Sequence, residues 1–263
     1  MSTPPLMLLK LLLFLSLITA TAADDRWAPN AVAGPVNQLV VAGNACGPAA
    51  LLTSLQCGDE SWQAVSNIIP GRSDKSKLLY IIKAHGLQES ASLKGRKRWT
   101  RHGINADDLV QIAGELAAMK GLPSPRSEQL FRTGRETPTK LIDRTHARLR
   151  DSLKRGFPPV LSLKRYVFRQ GQWQSIHGHF VTIIRVPEKI DRKARSFTFT
   201  YFDPWQGKKH EGTFRVPTEP LISVDGQSSS CLEAVVPSAD VGRKLVKSGE
   251  KTFIVPVGVM GRW

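Results

Sequence analysis

The hydrophobic period of this chain changes once, near Gly156, and that change restricts the architectures open to it. Upstream, apolar residues recur at helical spacing in "CGPAALLTSLQ", "DESWQAVSNII", "DKSKLLYIIKAH" and "ADDLVQIAGELAAMK". Ser73 and Asn105 stand as N-caps for two of these, and Pro70, Gly86 and Gly121 as stops. Thr137 caps a further helix with Pro138 at its first position and Gly156 at its end; Leu141, Ile142, Leu149 and Leu153 share one face of it. Downstream the period becomes that of strands: "PVLSLKRYVF" and "QWQSIHGHFVTIIRV" flank the turn pair Gln170-Gly171, and "RSFTFTYFD", "GTFRV" and "KTFIVPV" follow. Helices first and strands second, without regular alternation, predict an α+β fold with an antiparallel sheet. We expect a helical half over about residues 46–156, a sheet half over about 157–263, and a single domain spanning 24–263.

Residues 1–23 read as a secretory signal peptide, with an apolar centre at Leu11–Ile18 and small residues at Ala20–Ala23. Lys10 holds the apolar run below the ~20 residues a spanning helix needs. The expectation is a secreted or periplasmic protein with no membrane span once the signal is removed. Formal net charge is +15, and the densest basic run is "KGRKRWTRHG", Lys94–Gly103. Such charge favours anionic partners, with an anionic cell-wall polymer as one candidate. Trp99 is the only aromatic in the run, too little for a base-stacking platform, so no specific nucleic-acid partner is expected. The reading adopted for the run itself is a solvated loop.

Cys46 opens a helix, His179 sits in the strand "HGHFVTI", and Asp203 ends the strand "YFDPW". A thiol that attacks a carbonyl needs a lowered pKa, a base within reach and a group that orients the base. A helix N-terminus supplies part of the first, a strand histidine the second, and a neighbouring aspartate the third.

The ordered segments "NACGPAALL", "RGFPPVLSL", "GHFVTII" and "YFDPWQG" resemble the bacteriocin-processing-type, papain-like cysteine peptidases. The resemblance runs as scattered anchors from Gln38 to Gly207 and leaves about residues 58–155 unmatched. It implies a papain-like fold, Cys46 as nucleophile, His179 as general base and Asp203 as its orienting acid. It also implies a peptide or protein substrate and no cofactor. The family sets a glutamine six residues before the nucleophile as oxyanion donor; that position is Val40 here, so Gln38 and Asn44 are the candidates for the role.

Other readings remain open from the residues alone. His177 and His179 share a strand face, as two ligands of a metal site completed by Asp203 or His210 would. A catalytically inactive module that binds peptide or an anionic polymer is a further alternative. The chain has three cysteines, an odd number, so an exported protein leaves one thiol free. Pairing Cys57 with Cys231 as a disulfide would leave Cys46 reduced.

Overall fold

A computed structural model describes residues 24–191 and 193–263; the expected signal peptide lies outside them. Five α-helices carry the first part: α1 Cys46–Gln56, α2 Glu60–Ile68, α3 Asp74–Tyr80, α4 Ala106–Ala118 and α5 Pro138–Lys154. Ten strands are β1 Asp25–Trp27, β2 Trp99–Thr100, β3 Gly103–Ile104, β4 Arg126–Gln129, β5 Val160–Arg169, β6 Gln172–Pro187, β7 Ser196–Asp203, β8 Lys208–Arg215, β9 Glu233–Val235 and β10 Thr252–Gly261. Eight of them form one sheet in the order β4-β10-β5-β6-β7-β8-β9, with β1 added alongside β6. Every ladder is antiparallel. The fold is α+β, with N-terminal helices packed on a C-terminal antiparallel sheet.

Local chemistry explains the helix ends. Asp59 accepts from the Ser61 and Trp62 N–H groups at the start of α2, and Ser73 with Ser76 forms a reciprocal capping box on α3. Asn105 and Thr137 accept from Asp108 and Lys140 to start α4 and α5. Gly156 is required twice over. Its φ is +77°, and a Cβ there would lie 1.9 Å from Asp59 Oδ2. At Gln170-Gly171 both φ values are positive, the geometry of a two-residue hairpin turn, and β5 runs straight into β6.

α1 is the helix that positions the site. Gly47 through Leu55 are all buried, so it has no solvent face and is wrapped by protein on every side. Its apolar residues pack with α2, α3 and α4 and with Phe157, Val160, Phe180 and Met260 from the sheet side. Thr182 Oγ1 donates to the Ala50 carbonyl at 2.8 Å and pins β6 to the second turn of α1. Val181 and Ile183, alternating with Phe180 and Thr182, join α5 in a second apolar cluster.

The structure corrects three expectations. The helical half is not free of strands. Polar β4 joins the sheet as an edge strand on β10, and β2 and β3 form a small hairpin inside the basic run. That run is not simply a solvated loop, because part of it lines the cleft described below. Cys57 and Cys231 do not pair: both are buried free thiols in separate apolar clusters. Cys57 Sγ points at the Gly34 carbonyl (3.7 Å) and Cys231 Sγ at the Leu221 carbonyl (3.6 Å). α1 ends against the N-terminal segment, whereas Cys231 leads into the edge strand β9. Thiol titration of unfolded, unreduced protein is therefore expected to find three thiols; a single thiol would restore the pairing.

Candidate active site

Cys46 is the first residue of α1 and is half-buried. The segment before it is held in place at several points. Gln38 N–H donates to the Pro204 carbonyl at 2.9 Å, which ties this segment to the turn that follows Asp203. Thr53 Oγ1 accepts from Val36 N–H at 3.0 Å. Gly47 is needed beside the cysteine because a Cβ there would sit 2.4 Å from an Ile104 methyl.

His179 lies on β6 and Asp203 at the end of β7, both buried. His179 Nε2 is 2.7 Å from Asp203 Oδ1, and the Trp205 N–H donates to the same oxygen at 2.8 Å. With Nε2 committed to the carboxylate, Nδ1 is the ring nitrogen left for the thiol. Burial opposes ionisation of Cys46, but the His179 ring and the Phe180 and Gly47 backbone N–H groups outweigh it and hold the thiol below its usual range. Burial likewise opposes the imidazolium. The Asp203 hydrogen bond and the Cys46 thiolate overcome it and push His179 up to about 10. Both shifts favour the thiolate–imidazolium pair over the neutral thiol and imidazole, that is, a charged nucleophile beside a proton donor.

No protein-family model and no curated protein matches this chain. The chemistry has to be read from the cleft itself.

The cleft has a volume of about 1120 Å³, and Cys46, His179, Phe180 and Trp205 are among its lining residues. Trp205 stands two residues past Asp203, with its ring close to Gly43. Its place in "YFDPWQG" was the only sequence signal for it. The loop of residues 238–246 covers the His177 side. Arg165, buried on β5, donates to the Val241 carbonyl at 2.7 Å and to the Asp240 carbonyl at 3.3 Å and so fastens this loop down. Gly242, at φ +70°, lets the loop backbone close over His177, where a Cβ would lie 2.4 Å from the His177 Cβ.

The two oxyanion candidates have different surroundings. Asn44 lines the cleft, but its Nδ2 donates to the Thr100 carbonyl at 2.9 Å, so it anchors the β2–β3 hairpin. Gln38 is buried; its Nε2 donates to the Gly43 carbonyl at 2.5 Å and its Oε1 has no partner. The Gly43 bond holds the Gln38 amide against the strand of backbone that leads into Cys46. The metal reading gains no support: among the described residues, no three His, Cys, Asp or Glu side chains converge as ligands. His210 instead packs beside the Tyr201 ring. Among the described residues no helix is long and apolar enough to cross a membrane.

Proposed function

We propose that this protein is an exported, papain-like cysteine hydrolase that cleaves amide bonds of peptide or protein substrates through a thioester intermediate. The observation that carries the reading is the meeting of Cys46 from α1 and His179 from β6 in the wall of one cleft, with Asp203 of β7 buried behind His179, the thiol lowered and the imidazole raised. The Cys46 thiolate attacks the carbonyl carbon, and the carbonyl electron pair moves onto oxygen. Collapse of this tetrahedral species expels the amine, which takes the proton from His179 Nδ1, and leaves a thioester. Neutral His179 then removes a proton from water, hydroxide attacks the thioester, and the thiolate–imidazolium pair re-forms as the acid departs and gives its proton to solvent. Asp203 keeps the ring oriented through Nε2 in both halves.

The oxyanion falls at the N-terminus of α1, where the first backbone N–H groups have no helical partner. Gln38 Nε2 and Asn44 Nδ2 each keep one N–H beyond the bonds to Gly43 and Thr100, and we assign the side-chain donor to Gln38, whose amide is held against the backbone that leads into Cys46 while Asn44 anchors the hairpin. Gln38→Ala is expected to lower turnover about a hundredfold. It also breaks the Gly43 hydrogen bond, which costs about 1 kcal/mol of stability. Steady-state rates and urea midpoints measured on one preparation separate the two effects; full activity in the variant would leave the role to backbone N–H groups alone.

Turnover tests the reading directly. Wild-type protein is expected to generate new amino termini in a mixed peptide pool, and Cys46→Ala none. An intact pool with wild type, alongside normal thiol reactivity, would assign the protein as a binding module instead.

A further inference from the structure

The cleft walls around Cys46 carry a particular charge arrangement. Arg96 and Arg101 come from the basic run, Lys164 from β5 and Lys244 from the 238–246 loop. All four are exposed, and among the described residues none has an acidic side chain within ion-pair distance. The other cations of the wall are already engaged, Lys97 with Glu89 and Arg98 with Glu115. Of the acids lining the cleft, Glu128 is held by Arg144 and Arg148, which leaves Asp107 and Asp240 against four unpaired cations.

Arg101 and Lys164 are mounted on hydrogen-bonded elements. Trp99 Nε1 donates to the Asn44 carbonyl at 3.2 Å while Asn44 Nδ2 donates back to the Thr100 carbonyl at 2.9 Å. Arg98 anchors the same hairpin to Glu115 of α4 at 2.7 Å. Arg101 at the hairpin tip is therefore clamped to the residues immediately before the nucleophile. Lys164 stands opposite Gly178 across the β5–β6 ladder, one residue from His179. Cations thus flank the thiol from the cysteine side and from the histidine side, with apolar surface from Ile104, Phe180, Val257 and Met260 also lining the space. A polymer with a charge on every unit calls for a continuous basic track. Two separated basic walls with apolar surface suit a peptide whose acidic side chains lie on either side of an uncharged stretch.

We propose that this cleft selects peptide segments bearing acidic side chains on both sides of the bond presented to Cys46. The inference rests on the hydrolase reading for the identity of that bond, but the charge preference is a binding property and needs no nucleophile.

The experiment uses full-length Cys46→Ala protein and two fluorescent peptides of equal length, one with Glu and Asp flanking an apolar centre and one with Gln and Asn in their place. Anisotropy titrations are run at low and high salt. The acidic peptide is expected to bind more tightly, and its advantage to shrink as salt screens the walls. Arg96→Ala, Arg101→Ala, Lys164→Ala and Lys244→Ala should each weaken it about two- to fivefold and leave the amide peptide unchanged. Arg101→Glu combined with Lys164→Glu should remove the preference. These side chains are exposed, so melting temperatures should match that of the parent. Equal affinity for the two peptides at low salt would overturn the proposal, as would a preference indifferent to the four substitutions. Tight, salt-sensitive binding of an anionic polysaccharide with no discrimination between the peptides would also overturn it and assign the walls to a polymer. A failure of the hydrolase reading would show separately, as an intact peptide pool with wild-type protein while the Cys46→Ala protein still discriminates the two peptides.

Discussion

At neutral pH, iodoacetamide is expected to modify the native protein on one thiol, and Cys46→Ala to abolish the reaction while Cys57→Ala and Cys231→Ala leave it intact. The three thiols differ because their surroundings differ. Burial, with no compensating donor, pushes Cys57 up to about 12. Burial also pushes Cys231 up to about 12, with the Ser229 hydroxyl giving only partial relief. At pH 7 a thiol of that kind is ionised to roughly one part in 10⁵. Cys46 is half-buried, yet it has an imidazole partner and backbone N–H donors, and it faces a cleft rather than packed side chains. A peptide map of alkylated native protein checks the assignment. Persistent labelling of the Cys46→Ala variant would remove the nucleophile.

The second large effect is a displaced pH profile in His179→Ala. In wild type the alkylation rate should already be high at neutral pH, since Cys46 lies below its usual range. Without the imidazole only the Phe180 and Gly47 N–H groups oppose desolvation, and the thiol moves back up toward its usual range. The rate at pH 7 then falls about a hundredfold and recovers only in alkali. Asp203→Asn should produce a smaller shift in the same direction, because it weakens the imidazolium that holds the thiolate. Identical profiles for wild type and His179→Ala would dissolve the pair.

The same pair makes a statement about stability, with signs that can be worked out. His179 is raised from 6.5 to about 10, so its contribution is complete below 6.5 and is lost as pH rises through 10. Cys46 is lowered from 9.0, so its contribution is complete above 9.0 and is lost as pH falls through the folded value. At pH values above both 6.5 and the folded Cys46 value, and below 9.0, the folded pair holds one proton on His179, the unfolded pair holds one on Cys46, and the two slopes cancel. The pair's contribution should therefore be flat across that window and decline on both sides. Urea midpoints against pH, wild type compared with a Cys46→Ala/His179→Ala double variant, measure it.

Much of the fold was legible because it depends on local rules. The cap at Asn105, the Thr137-Pro138 start and the Gln170-Gly171 turn each act within a few residues, and a sequence displays such signals openly. β4 was illegible for the opposite reason. "RSEQ" has no strand pattern and becomes a strand only because β10 offers it an open edge.

By itself, the sequence determined the order of helices before strands, the places where Gly156 and the capping residues end them, and which thiol, imidazole and carboxylate were candidates to meet. Tertiary structure alone decided the rest. It brings Cys46 and His179 to one cleft, with Asp203 behind the imidazole, through the packing of α1 on β6 and the Thr182–Ala50 bond. It keeps Cys57 and Cys231 apart, because a cysteine count carries no distance. It also turns the basic run from a surface loop into a wall of the cleft, through the bonds that join Trp99 and Thr100 to Asn44. Charge and residue type are properties of single positions and can be read from the chain. Proximity between distant positions is set by how apolar faces bury and how buried polar groups find partners, and only the folded chain settles that.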